Sequence, residues 1–244
     1  MPPDSIAPPQ FPPTRWSVVL SASGEGQVSR AALEELCRLY WFPLYSFARQ
    51  RGCPPEDAED ETQEFLARVA GGGLLTAATP ERGRLRTFLL AAFQRDLIDA
   101  HRRAGRVKRG GHAEIVSLDA LHAEDRFHET LPLDSPAATF DRAWALSTLD
   151  AALRILESEY AARGRTALFQ ALRPFLDPTD ESECDYGTAE KATGLERNAL
   201  RQAVLRLRQR FRALLRQAIA DTLEHPTGPL IEEELAALRA ALAA

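Results

Sequence analysis

Two groups of side chains in this sequence have residue types and a spacing that could support catalysis or binding. The first is a set of carboxylates at i, i+3, i+4 and i+7 in the segment DAEDETQE, which a helix would place on one face. Such carboxylates can hold Mg²⁺ when a facing helix supplies further ligands, and otherwise they suit docking of a basic partner. The members of this acidic face are Asp57, Asp60, Glu61 and Glu64, with Gln63 beside them.

The rest of the chain disfavours a metal site or a hydrolase centre. The following helix offers only Asp96 and Asp99 among arginines, so the second set of carboxylates is missing. The five histidines and three cysteines are scattered, without a paired nucleophile and base, a zinc spacing or a disulfide framework. We therefore expect no catalytic residue, no metal and no cofactor, and we interpret the acidic face as either a solvated helix face or a docking surface for a basic partner helix.

The second group is a run of arginines from residue 197 to residue 217, which holds seven Arg and no acid. A short helix and a turn at Gly194 precede it, which is the plan of a helix-turn-helix whose second helix enters the major groove. The forked donors of Arg, Asn and Gln match guanine and adenine edges, and later arginines suit phosphates. The expected base contacts are Arg197, Asn198, Arg201 and Gln202, and the expected phosphate contacts are Arg206, Arg208 and Arg210.

Charge is segregated along the chain, although the formal net charge is −5. Residues 81–109 carry a local balance of +6, and residues 113–141 carry −6. Because DNA responds to local patches, this arrangement is compatible with nucleic-acid binding. The candidate DNA contacts in the first basic patch are Arg84, Arg86, Arg95, Arg102, Arg103, Arg106, Lys108 and Arg109.

The elements that must position these groups are helices. Ala, Leu, Arg and Glu dominate a chain of 244 residues with few strand formers, so we expect an all-α fold with room for two domains. The inward positions predicted for the helix at 54–70 are Ala58, Thr62, Phe65, Leu66 and Val69, and those for the helix at 84–103 include Phe88, Leu89, Ala92 and Ile98. The core side predicted for the last long helix is Leu200, Val204, Leu207, Phe211 and Leu214.

The predicted organisation follows from these helices and from the acidic, proline-containing stretch between them. It comprises an N-terminal arm at 1–28, a first helical domain at 29–112, an acidic linker at 113–139, a helix-turn-helix domain at 140–222 and a helical tail at 223–244. The sequence shows neither a signal peptide nor a membrane-spanning run, so we expect a cytoplasmic protein without membrane insertion.

The motifs taken together resemble the ECF-type (extracytoplasmic-function) sigma factors of the sigma-70 family. LCRLYWFPLYSFARQRG, EDAEDETQEFLARV and GRLRTFLLAAFQRDLIDAHRR are similar to sigma region two. FDRAWAL and YGTAEKATGLERNALRQAVLRLRQRFRALLR are similar to the approach to region four and to its body. Glu190 and Thr193 depart from the pattern, since the family usually has a small residue and a Leu there. Arg95 stands where many members carry Asn.

The resemblance implies a factor that directs bacterial RNA polymerase to promoters. It implies that Asp60, Gln63 and Glu64 dock on the polymerase core and that the segment from Arg84 to Arg109 melts and reads the minus-ten element. The second hairpin helix would read the minus-thirty-five element. Promoter DNA, the polymerase core and an anti-sigma factor or other regulator are the implied partners. The alternative is a helical regulator of transcription that binds protein and does not read DNA, for which both basic patches would be dispensable.

Overall fold

The computed structural model describes residues 27–71, 84–104, 118–129, 135–176, 186–223 and 225–243, and the regular elements in these ranges are all helical. This confirms the predicted all-α fold. The chain divides into two compact units. The first comprises Met1–Ser147 with Ile219–Ala244, and the second comprises Thr148–Ala218.

The helices are numbered here in chain order. Their bounds are α1 Gln27–Gln50, α2 Pro55–Ala70, α3 Leu85–Ala104, α4 Leu118–Glu129, α5 Pro136–Ala162, α6 Thr166–Leu172 with a 3₁₀ turn at Arg173–Leu176, α7 Tyr186–Thr193, α8 Arg197–Ala220 and α9 Gly228–Ala243. The first unit holds α1 to α4, the start of α5 and α9, and the second unit holds the remainder of α5 and the elements up to Ala218.

The core of the first unit is built where α1, α2 and α3 pack against one another. Phe93 of α3 lies between Phe47 of α1 and Phe65 of α2, with ring centroids 6.3 Å and 5.1 Å away. Offset and tilted aromatic contacts of this kind are favourable beyond the apolar area they bury. All five positions predicted to face inward from α2 are buried, which confirms the helical period assigned to it.

One inward position predicted for α3 is wrong. Ile98 is 37% exposed, whereas Leu89, Phe93 and Leu97 are buried. Leu89, Phe93 and Leu97 recur every fourth residue and therefore lie on one face of the helix. The side chain of the next residue, Ile98, is rotated by about 100° around the helix axis from that of Leu97. The buried face of α3 therefore includes Leu97, and Ile98 lies at the edge of that face.

The segment predicted as a linker contains a helix, α4, which packs against α1 and α2. Its Glu124 accepts hydrogen bonds from the Tyr45 hydroxyl at 2.5 Å and from the Arg49 guanidinium at 2.6 Å and 2.8 Å. Phe127 of the same helix is buried. These contacts make α4 a part of the first unit, since a short helix of this kind gains its stability from tertiary packing.

The C-terminal helix α9 also belongs to the first unit, where two of its glutamates meet the start of α3. Arg84 pairs with Glu233 and Glu234, and Nε of Arg86 lies 3.6 Å from Oε2 of Glu234. The Glu234 and Arg86 side chains are only 3% and 10% exposed. The Arg86 guanidinium also lies 4.4 Å from the centroid of the Trp144 ring. The Arg86 guanidinium and the Glu234 carboxylate are thus both withdrawn from water, and the guanidinium lies against the Trp144 ring.

Replacing Arg86 by alanine should destabilise the first unit by about 3–5 kcal/mol at neutral pH, because Glu234 would keep a buried charge without its buried partner. Burial already raises the pKa of Glu234 above its ordinary value, against the lowering effect of Arg86 and Arg84. Loss of Arg86 should raise this pKa further. The deficit relative to wild type should therefore shrink as the pH is lowered from neutrality, because the carboxyl then takes up a proton.

Urea unfolding of wild type and Arg86→Ala at a series of pH values from neutral to mildly acidic measures this difference. Arg239→Ala is the matched control, since Arg239 is an exposed arginine on the same helix, and its effect should stay within about 0.5 kcal/mol. A deficit for Arg86→Ala that is independent of pH would show that Glu234 does not govern the loss.

Replacing Glu124 by glutamine should weaken the docking of α4 by about 1.5–3 kcal/mol at neutral pH, the usual range for hydrogen bonds to a charged group. Hydrogen bonds from Arg49, followed by that from Tyr45, lower the pKa of Glu124 to about 2. A carboxyl with a lowered pKa stabilises the fold above its unfolded pKa. That contribution is lost as the pH falls from about 4.5 to about 2.

Wild type and Glu124→Gln should therefore differ in free energy of unfolding at neutral pH and converge in this acid range. The neighbouring Asp125→Asn removes the same charge from an exposed position of α4 and should behave as wild type. Parallel pH profiles for wild type and Glu124→Gln would rule out the proposed role of this carboxylate.

Candidate nucleic-acid and protein interfaces

The acidic face of α2 is presented to solvent as the sequence predicted. Pro at the first helical position and acids in the first turn favour a helix start here, and the apolar stripe on the opposite side fixes the helix against the core. Asp57, Asp60, Gln63 and Glu64 are exposed, and Glu61 is partly exposed. The structure therefore brings together all the residues of this predicted site.

Glu59 completes the local arrangement and was not predicted from the sequence. It is buried, and its Oε1 accepts a hydrogen bond from Gln63 Nε2 at 2.8 Å. The i, i+4 spacing of these two residues was the available signal. Because Gln63 is held by this contact, its position on the acidic face is less free than that of an ordinary surface glutamine.

The basic residues predicted for the first unit fall into two groups. Arg84 and Arg86 are engaged by the carboxylates of α9, and the burial of Arg86 withdraws it from any surface contact. Arg95 is exposed, with its Nε donating to the carbonyl of Ala91 at 3.1 Å. Of the remaining predicted contacts, the side chains of Arg102 and Arg103 and the whole of Arg106, Lys108 and Arg109 lie outside the described residues.

The turn between α7 and α8 explains one departure from the expected hairpin pattern, that at Thr193. Gly194 has φ of +68°, a conformation that favours glycine, and its N–H donates to the carbonyl of Glu190 at 2.8 Å. The Thr193 hydroxyl donates to the carbonyl of Ala189 at 2.7 Å and accepts from the N–H of Leu195 at 3.3 Å. Thr193 therefore supports the turn with hydrogen bonds where a leucine would have packed.

Glu190 has a separate function in the hairpin. Its Oε1 accepts a hydrogen bond from Nε of Arg197 at 2.6 Å. The Arg197 guanidinium also lies 5.3 Å from the centroid of the Tyr186 ring. Arg197, the first residue of α8, is thus held by Tyr186 at the start of α7 and by Glu190 in the second turn of α7. Tyr186 was not predicted as part of this site, and an aromatic residue opening a short helix was its only sequence signal.

The buried side of α8 anchors the hairpin to the second unit. Leu200, Val204, Leu207 and Leu214 are buried in one cluster with Phe169, Leu172 and Phe175, and Phe211 packs against it. This confirms the core side predicted for the helix. With that side fixed, Asn198, Arg201, Gln202 and Arg206 are left exposed on the other faces, as is about half of the Arg197 side chain.

Two arginines that the sequence suggested as phosphate contacts have partners within the second unit. Arg208 is partly buried, and its Nε donates to the carbonyl of Phe175 at 2.8 Å, at the end of the 3₁₀ turn. Arg210 forms an ion pair with Glu159 of α5 through two of its nitrogens. The carboxyl pKa of Glu159 is lowered, chiefly by this hydrogen bond. Arg208 therefore differs from the exposed Arg201 by its burial, whereas Arg210, whose side chain is 50% exposed, differs from it by its ion pair.

Two further observations bear on the possible chemistry. In the described ranges, no three histidine, cysteine or acidic side chains come together in a group that could hold a metal ion. No helix in that part of the chain combines the length and the apolar character needed to cross a membrane.

The comparison with protein families identifies the class of this chain. Residues 18–173 match the family model described as ECF sigma factor, which is more than half of the chain. The chain therefore belongs to the ECF sigma factor family. Factors of this family bind the RNA polymerase core and promoter DNA and direct transcription initiation, and the family is not a class of catalytic enzymes. Comparisons with curated proteins and with solved structures returned no match.

The different surroundings of two arginines on α8 lead to a prediction. Arg208→Ala should lower the stability of the second unit by about 1.5–3 kcal/mol, because it removes a charged donor from the Phe175 carbonyl. Arg206→Ala, at an exposed position two residues earlier, should change stability by no more than about 0.5 kcal/mol. Urea unfolding of the full chain, followed by circular dichroism, measures both. Equal effects would contradict the distinction between a structural and a surface arginine.

Proposed function

We propose that this ECF sigma factor uses three separate surfaces in promoter recognition. The acidic face of α2 binds the polymerase core. The basic segment from Arg95 to Arg109 binds DNA during strand opening. The exposed residues at the start of α8 read the upstream promoter element in duplex form. The family match ends at Arg173, before α7 begins, so the proposal for α8 depends on its own geometry and on the sequence resemblance.

The observation that carries the proposal is the exposed cluster at the start of α8. Asn198, Arg201 and Gln202 are solvent-exposed on a helix whose opposite side is fixed in the core by Leu200 and Val204. A helix held in this way can enter the major groove, where forked donors distinguish base pairs. Arg206 lies one turn further along and suits a phosphate oxygen.

The proposed contact with the polymerase core rests on charge and exposure. Several carboxylates share one exposed face of α2 while the other face is buried, so the side chains can contact a partner without disturbing the fold. A basic surface on the partner would be complementary to this face. It would favour both the rate of association and the correct alignment of the two surfaces.

The proposed strand-opening surface excludes Arg84 and Arg86, because both are engaged by carboxylates of α9 within the first unit. It comprises Arg95, Arg102, Arg103, Arg106, Lys108 and Arg109. Support comes from the exposure of Arg95 and from the density of positive charge at 102–109. Positively charged side chains can bind the backbone of a separated strand.

The experiment that tests this function is run-off transcription with purified core polymerase and a promoter library. Asp60→Arg with Glu64→Arg should abolish detectable core binding and transcription, because charge reversal opposes a basic partner surface. The helical circular dichroism signal should persist, since both positions are exposed. Asp125→Arg reverses an exposed charge on α4 and serves as a control for core binding. Unchanged core affinity in the α2 variant would overturn the assignment of the acidic face.

A further inference from the structure

Of the four base contacts predicted at the start of α8, Arg197 has a side chain that is held in position by neighbouring side chains. Its Nε donates to Glu190 Oε1 at 2.6 Å, and its guanidinium lies against the ring of Tyr186. The Arg197 side chain is 51% exposed, whereas that of Glu190 is 28% exposed. The carboxylate is therefore the more buried of the two groups, and about half of the Arg197 side chain stays accessible.

The support for Arg197 extends into the core of the second unit. Tyr186, on which the guanidinium lies, makes an edge-on contact with Phe175 at a centroid distance of 4.7 Å. Phe175 is 3% exposed and is part of the buried cluster that also holds Leu200. The carbonyl of Phe175 accepts the hydrogen bond from Arg208. A series of contacts thus connects a surface guanidinium to the packed core, and such second contacts restrict the rotamers of a recognition residue.

The hydrogen-bonding geometry of arginine indicates what this arrangement could recognise. A guanidinium has five N–H donors in a plane and can form bidentate pairs along two edges. With Nε bonded to Glu190, the edge formed by the two terminal nitrogens stays available. Two parallel donors match O6 and N7 of guanine in the major groove, which is the commonest specific contact of arginine with DNA.

We propose that Arg197 reads a guanine in the upstream promoter element and that Glu190 is its positioning residue. Glu190 touches no base; it fixes the plane of the guanidinium so that less side-chain freedom is lost on binding. This inference depends on the proposed function of α8. It adds that the base is guanine and that Glu190 influences specificity by positioning Arg197. It also assigns a use to the carboxylate found where the family usually has a small side chain.

The carboxylate has a second effect of opposite sign, which makes the proposal testable. A negative charge near the DNA backbone weakens binding to every sequence, because it reduces the attraction of the surface for phosphates. Neutralising Glu190 should therefore raise non-specific affinity and lower the preference for guanine at one position. An acidic residue that acts only by its charge would show the first effect without the second.

The experiment selects binding sites from a randomised upstream element, using the full-length factor assembled with core polymerase. Wild type should enrich guanine at one position. Arg197→Ala should lower that preference roughly 5- to 150-fold, the equivalent of one bidentate contact. Glu190→Gln should lower it at the same position roughly 2- to 12-fold, the equivalent of one net hydrogen bond. The double variant should show no more loss than Arg197→Ala alone, because both changes remove one coupled contact.

Glu196→Gln is the matched control, since it neutralises an exposed carboxylate directly before α8. It should raise affinity for all sequences and leave the base preference unchanged. Circular dichroism and urea unfolding of each variant establish that the hairpin is folded, and Glu190→Gln keeps the shape of the side chain.

The outcomes separate this inference from the proposed function. If wild-type holoenzyme enriches no upstream sequence, the proposed role of α8 and this inference are both overturned. If it enriches a sequence that Arg197→Ala and Glu190→Gln leave unchanged, the proposed function stands and this inference fails. If Glu190→Gln behaves as Glu196→Gln, or if the preference lost with Arg197 is not for guanine, the inference is also wrong.

Discussion

A guanidinium that leaves water must gain a partner, and this constraint explains much of the structure. In the first unit, Arg86 is buried on Trp144 and is paired with Glu234, which brings α9 against the start of α3. Arg49 is held by Glu124 of α4 in the same way. Two helices that lie outside the predicted first domain are thus attached to it by buried or half-buried ion pairs.

The arginines of α8 differ in the same respect. Arg208 is partly buried and donates to the Phe175 carbonyl. Arg201 is exposed and belongs to the face that we propose for DNA. Arg197 and Arg210 are intermediate, because each is paired with a glutamate and about half exposed. An arginine count along the helix could not distinguish these situations, although they have different consequences for stability and for recognition.

The family assignment and the geometry support different parts of the functional account. The match over residues 18–173 establishes an ECF sigma factor, and with it the partnership with polymerase and promoter DNA. It does not reach α7 or α8. The account of these helices therefore depends on the turn at Gly194, on the buried stripe of α8 and on the exposed polar residues at its start. The withdrawal of Arg84 and Arg86 into the contact with α9 narrows the proposed strand-opening surface to the residues from Arg95 onward.

The sequence alone determined the helical fold, the buried stripes of α2 and α8 and the exposure of the acidic face, because these follow from the period of the helix and from local turn residues. It did not reveal α4, whose stability depends on Glu124 meeting Tyr45 and Arg49 far away in the chain. It also could not separate Arg86 from Arg95, since both are arginines of one basic segment. Only the tertiary structure brings Glu234 to one of them and leaves the other exposed. Tertiary packing decides which charges that are distant in the sequence form a pair, and a sequence pattern does not show that packing.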